Sequence, residues 1–225
     1  MQGQFASNGS SRPRHPTLPR LDSGHTARHH PCVENPFNPG YYSSLELRSF
    51  GFARVGENSA VARNCTIIGL ENIVIGDNVR IDGFTSIIAP KGQVKIGSWV
   101  HIATGCALGA RAGIEIGDFS SLSQGVRLFS AIDDFGGRWM TSATLPPDLV
   151  RVEAAPIQIG RHVPIGSGSL VLPGVEIGEG AAVGALSLVN RSLAGWFIYS
   201  GNPVMEVRAR ARDLLALEAR AMPPG

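Results

Sequence analysis

The sequence predicts an all-β fold, a left-handed parallel β-helix built from six-residue units. Three observations carry that prediction. An aliphatic residue recurs at every sixth position in six triplets: Val55, Val61, Ile67; Ile75, Ile81, Ile87; Ile96, Ile102, Leu108; Ile116, Leu122, Leu128; Ile159, Ile165, Val171; Ile177, Val183, Val189. The residue after the aliphatic is often Gly or Asp, as at Gly56, Gly76, Asp82, Gly97 and Gly117. The fourth residue after it is small or β-branched, as at Ser59, Cys65, Thr85, Cys106, Ser120 and Ser169. A period of six matches neither a helix nor a simple strand. It suits a short strand followed by a sharp corner. Three such units close one triangular coil, with the aliphatics pointing inward and stacking from coil to coil. Small residues at the corner are expected to let the backbone turn. Each coil buries its apolar row only against its neighbours, so stability accumulates along the stack.

The elements follow in order. Residues 1–40 are rich in Pro, Ser, His, Arg and Gly and lack sustained apolar periodicity, so they read as a disordered leader. The β-helix domain is expected over 41–204. Its coils start at 55, 75, 96, 116, 159 and 177. The step from 116 to 159 holds one coil and about 25 further residues, a loop over 131–156 too long for a turn. Pro146-Pro147 and Trp139 lie within it. After Val189 the stretch Trp196 to Pro203 reads as a closing strand and turn. Residues 205–221 read as a helix, because Val207, Ala211, Leu214 and Leu215 would share one face. That helix and the tail to 225 are expected to cap the open end.

Composition narrows the function classes. The net charge of +2 is too small to argue for nucleic acid or a membrane surface. Cys32, Cys65 and Cys106 are odd in number and form no CxxC pair, which fits a reducing compartment. No signal peptide and no apolar run of spanning length is evident. A soluble cytoplasmic protein is expected.

The segments IGDNVRIDGF, VHIATGCALG, GIEIGDFSSLS, SAIDDF, IGSGSLVLPGVEIGEGAAVGALSLV and GNPV resemble the hexapeptide-repeat acyltransferases, and most closely the GDP-perosamine N-acetyltransferase group. The resemblance covers about residues 45 to 215. It implies acetyl transfer from acetyl-CoA to the amino group of a nucleotide-linked amino-dideoxysugar, for O-antigen or surface-glycan synthesis. It implies a homotrimer with acetyl-CoA and nucleotide sugar bound between subunits. An elongated solenoid with flat faces makes a concave site most readily between copies.

Residue roles carry over position by position. In the galactoside acetyltransferase branch a histidine after the equivalent of Leu128 is the general base. Here Asp133 takes its place. A hydroxyl nucleophile needs a base with a pKa near 7, whereas a neutral amine brings its own lone pair. An ordinary aspartate, with a pKa of about 3.9, suits an ammonium or sugar hydroxyls better than it suits base catalysis. Loss of the histidine therefore favours N- over O-acetylation. The alternative is a sugar O-acetyltransferase of the galactoside or maltose type, which would need His101 as base. His101 and Asp133 are the catalytic candidates. Asp134, Arg80 and Asp82 are the acceptor-binding candidates, with turn formation as the competing role for Asp134. Ser167, Gly184 and Ala185 match positions where small residues let pantetheine approach, and Ala185 could offer its backbone N–H. Arg191, Arg208 and Arg210 could meet the CoA phosphates. No metal is expected. The γ-type carbonic anhydrases share this solenoid but use three histidines on zinc, and here only His101 and His162 lie in the coils.

Overall fold

The structure is a computed structural model that describes residues 35 and 37–221. Most of the expected leader therefore lies outside the described residues. One unit, Asn38–Gly225, holds every element considered below.

Parallel strands stack into a triangular solenoid of six full coils and part of a seventh. Each coil contributes one strand to each of three faces. In the second coil these are Ile73–Ile75, Arg80–Ile81 and Ser86–Ile88. The first and third faces each hold six parallel strands. The second face holds nine, because strands outside the coils extend it at both ends. The strand Tyr41–Ser43 pairs antiparallel with Ala60–Ala62 at one end. Phe197–Ser200 continues the stack beyond Ala182–Val183 at the other, and Leu193 bridges to Ile177 on the first face. These last pairings make the partial seventh coil, which the aliphatic period did not mark. Seventeen of the eighteen predicted inward aliphatics are buried, and Ile67 is half-buried against the same core. Ile81, Ile102, Leu122, Ile165 and Val183 stand in register on the second face, so each covers the next.

The corner glycines act differently from the expectation. A Cβ on Gly76 would lie 2.6 Å from the carbonyl carbon of Gly97, and one on Gly117 would lie 2.6 Å from that of Gly160. These glycines are small because successive coils touch there. The left-handed turn comes two residues later and is made mostly by residues with side chains. Asn58, Asn78, Trp99, Phe119, His162 and Trp196 all adopt φ between 52° and 64°. Their rings stack: Trp99 on Phe119 at 6.1 Å, and Phe119 on His162 at 5.1 Å. Stacking of this kind offsets part of the left-handed strain.

The break between coils four and five opens with a two-stranded hairpin. Ala131–Asp133 pairs antiparallel with Val152–Ala154, and the loop runs out between them.

The C-terminal expectation needs correction. Met205–Ala209 is a strand, antiparallel to Phe197–Ser200. The helix is confined to Leu214–Ala221. The open edge of Phe197–Ser200 offers a row of backbone partners, and pairing there outweighs local helix preference. Val207 is accordingly exposed instead of forming an apolar helix face. The helix is tied to the coils by Glu218, which accepts from His162 Nε2 at 2.8 Å and from Arg161. Among the described residues, no helix is long and apolar enough to cross a membrane.

Candidate active site

The second face presents His101, Arg80 and Asp82 together. Arg80 and His101 are direct partners in adjacent parallel strands, so both side chains leave the same face. Asp82 is two residues beyond Arg80 and returns to that face. His101 Nε2 lies 2.9 Å from Asp82 Oδ2. Arg80 Nε donates to Asp82 Oδ1 at 2.7 Å. Tyr41, brought in by the N-terminal strand, donates its hydroxyl to the same oxygen at 2.7 Å and accepts from Arg80 at 2.9 Å. Partial burial pushes the Asp82 carboxyl up, but hydrogen bonds from His101, Tyr41 and Arg80 together outweigh it and hold the carboxyl below its ordinary range. The bond from Tyr41 to Asp82 in turn pushes the Tyr41 phenol up. With Nε2 held by a carboxylate, His101 has Nδ1 left to face a ligand. Tyr41 escapes sequence reasoning because it stands 41 residues from Asp82 and no repeat marks it.

The corner between the second and third faces collects the expected cofactor residues. Ser123, Ser167 and Ala185 lie on it in coils four, five and six. Ser167 Oγ donates to Gln124 Oε1 at 3.1 Å, linking coils four and five. Gly184 is small because Ser200 stands against it: a Cβ there would lie 2.7 Å from Ser200 Oγ. The backbone N–H groups of Ser167 and Ala185 donate to no group among the described residues. An extended amide chain such as pantetheine fits free N–H groups along such an edge. Leu186, next to Ala185, is 76% exposed and adds an apolar contact there.

Asp133 and Asp134 separate in role. Asp133 pairs with Val152 in the hairpin and is exposed. The Asp134 carboxylate accepts three backbone N–H bonds, from Gly136, Arg138 and Trp139, at 2.7, 3.1 and 3.1 Å. Both of its oxygens are thereby committed to shaping the loop, the competing role noted above.

The arginines also separate. Arg208 is exposed on the last strand and Arg191 sits at the end of coil six. Arg210 points inward, and its Nη1 donates to the carbonyls of His162, Gly180 and Ala181 at 2.7, 3.0 and 3.4 Å. Burial pushes its guanidinium pKa down. Arg210 ties the C-terminal segment to the corner of coils five and six. Arg210→Met is expected to lower unfolding stability by about 1–2 kcal/mol in urea titration and to leave CoA affinity unchanged. Lost CoA affinity at unchanged stability would return Arg210 to the cofactor.

No family model matches the chain. The chain is 34% identical over 179 residues to dTDP-4-amino-4,6-dideoxy-D-glucose acyltransferase of Escherichia coli, covering 80% of this chain and 93% of that protein. The chain belongs to the hexapeptide-repeat acyltransferases. Among solved structures it is similar to AntD, an N-acyltransferase from Bacillus cereus, at 40% identity and a TM-score of 0.77, covering 81% of this chain and 97% of AntD. AntD was crystallised with CoA and dTDP, and with CoA and dTDP-4-amino-4,6-dideoxyglucose. A maltose O-acetyltransferase from Clostridium difficile, at 24% identity and a TM-score of 0.52, shares the fold.

The AntD structures carry substitutions at a serine and an aspartate ten residues apart. In this hexapeptide-repeat acyltransferase only one Ser–Asp pair has that spacing, Ser123 and Asp133. Asp133 is one of the catalytic candidates named from the sequence. Ser123 was not singled out there, because in the repeat it occupies one more small-residue slot. Its hydroxyl has no hydrogen-bond partner among the described residues, whereas the buried slot serines Ser59, Ser120 and Ser169 bond to coil carbonyls.

Proposed function

We propose that this chain transfers an acyl group from acyl-CoA to the 4-amino group of a dTDP-linked 4-amino-4,6-dideoxysugar. The observation that carries the reading is the Ser123–Asp133 pair, at the spacing substituted in AntD, in a chain 40% identical to it. The dTDP-linked acceptor replaces the GDP-perosamine implied by the sequence resemblance, since dTDP sugars are the ligands named for both relatives. Service to a surface glycan agrees with the more distant likeness, 28% identical, to the "Putative lipopolysaccharide biosynthesis O-acetyl transferase WbbJ" of Escherichia coli.

In this reading the amine nitrogen attacks the thioester carbonyl carbon, the C–S bond breaks, and CoA leaves as its thiol. Attack creates an oxyanion and a positively charged nitrogen. In this mechanism Ser123 donates to the oxyanion, and Asp133 takes the proton the nitrogen must shed. His101, Arg80 and Asp82 hold the acceptor. Ser167 and Ala185 offer backbone N–H groups to the pantetheine arm, while Arg191 and Arg208 are the cations for the CoA phosphates.

The reading includes a trimer. The outward positions of the first face are mainly polar or charged, among them Arg54, Lys95, Glu115, Gln158 and Glu176. Those of the third face include Ile68, Ile88, Phe129, Leu170 and Leu172. Ile68 is 50% exposed in the single chain. Apolar residues at these outward positions, interrupted by Thr66, Ser86 and Arg127, support burial against another copy.

Thiol release should be followed with acetyl-CoA and 3-hydroxybutyryl-CoA against dTDP-, GDP- and UDP-linked amino sugars, maltose and a galactoside. Turnover is expected with dTDP-4-amino-4,6-dideoxyglucose and not with maltose or the galactoside. Turnover with hydroxyl acceptors alone would overturn the N-acyl reading.

A further inference from the structure

A cleft of about 270 Å³ opens at the N-terminal end of the same corner, lined by Gly40, Tyr41, Asn64, Arg80, Asp82 and Phe84 among others. Two of these residues are unexplained by the fold. Phe84 makes the left-handed turn at φ 58° with its side chain 78% exposed. The equivalent corner positions in the next three coils are Gly105, Gly125 and Gly168. A phenylalanine there bears the left-handed strain without burial to offset it. Asn64 lies against Gly83, and its Oδ1 is buried with no hydrogen-bond partner among the described residues. A buried acceptor left unpaired is destabilising, so each such group calls for an explanation.

We infer that this cleft receives the nucleobase of the acceptor, a pyrimidine dione, with Phe84 stacking on the ring and the Asn64 amide reading its imide edge. The inference rests on the nucleotide-sugar reading above and adds where and by what chemistry the nucleotide is recognised. An aromatic face exposed to solvent suits a flat heterocycle. An imide edge offers an N–H flanked by carbonyls. A turn of the Asn64 amide about its terminal bond would let Oδ1 accept that N–H while Nδ2 donates to a carbonyl. Arg80, which lines the cleft, is a cation available to the diphosphate.

The spacing agrees. Asn64 belongs to coil one and Ser123 to coil four, three strand spacings apart, about 14 Å. An extended nucleoside diphosphate sugar spans a distance of that order between its base and its 4-amino group. The acceptor would then lie along the edge from the N-terminal end, meeting the donor that approaches from coils five and six.

The test uses the full-length protein and calorimetric titration with dTDP, dCDP and CoA. Phe84→Gly removes the ring and relieves the left-handed strain, so it should fold at least as well as the parent. It is expected to weaken dTDP about tenfold or more with CoA affinity and melting temperature not reduced. Asn64→Ala is expected to erase any preference for dTDP over dCDP, whose base lacks the imide N–H. Unchanged dTDP affinity in Phe84→Gly, in a protein that still acylates the dTDP-linked amino sugar, would overturn the base site and leave the proposed function standing. A parent protein that neither binds dTDP nor acylates any nucleotide-linked amino sugar would remove the proposed function and this inference with it. Loss of dTDP affinity accompanied by a smaller assembly in solution would make Phe84 an interface residue and also overturn the base site.

Discussion

Replacing Asp133 by Asn is expected to lower kcat for acyl transfer by about 100- to 1,000-fold, with the KM values for both substrates close to the parent's. A sugar amine attacks as the neutral base, so no strong base is needed before attack. The demand comes afterwards, when the nitrogen carries a positive charge and the C–S bond cannot break productively until a proton leaves. An ordinary carboxylate can accept from that nitrogen, because a nitrogen bonded to the tetrahedral carbon is much more acidic than a free ammonium. Asparagine keeps the shape and the hydrogen-bonding reach but cannot take the proton. His101→Ala is expected to act differently. His101 is held by Asp82 on the second face, the proposed acceptor side, so its loss should raise the acceptor KM more than it lowers kcat. Steady-state kinetics of the two variants, by thiol release, decide the matter. A larger fall in kcat from His101→Ala than from Asp133→Asn would move proton transfer to the histidine.

Gly117→Ala is expected to destabilise the protein by about 3 kcal/mol or more, at the upper end of overpacking effects, whereas Gly105→Ala should cost about 1 kcal/mol. The two glycines look alike in the sequence. Gly117 sits where coils four and five touch, and an added Cβ would meet three backbone atoms at 2.6 to 2.8 Å. Backbone cannot move aside without separating the coils, and the row of inward aliphatics would separate with it. Gly105 has φ 72° and nothing within 4 Å of an added Cβ, so only left-handed strain opposes the change. Urea unfolding of both variants measures the difference. Equal losses would show that the glycine after each aliphatic serves the turn and not the contact between coils.

These two glycines also mark how far the sequence could be read. The aliphatic period placed the coils and about half of the buried apolar residues, because the same inward slot recurs in every unit; a second inward row on the first face, Ile73, Val94, Ile114, Ile157 and Val175, was not marked by it. The long break after Phe129 was visible for the same reason, since a repeat shows its interruptions. His101, Arg80, Asp82 and Asp133 could be named from resemblance and position. Asp134 was named as an acceptor-binding candidate with a competing turn role; the sequence did not show that three backbone N–H groups of its own loop donate to its carboxylate. The helix expected over 205–221 failed in its first part, where an open strand edge was a stronger partner than the chain's own next turn. The contacts of Arg210 were hidden for a similar reason: its carbonyl partners lie about 30 to 48 residues away.

By itself, then, the sequence determined the period, the inward row, the place of the insertion and the family. These depend on which residue stands at which step of a repeat, and that information is local. Only the tertiary structure decided that Tyr41 joins Asp82 and His101, that the Ser123, Ser167 and Ala185 positions share one edge with the Asn64–Phe84 cleft, and that the glycines after the aliphatics separate coils. Stacking parallel coils brings residues about 20 positions apart, and across the insertion more than 40, to neighbouring strands. Side chains that leave one face in register then act together, whatever their distance along the chain.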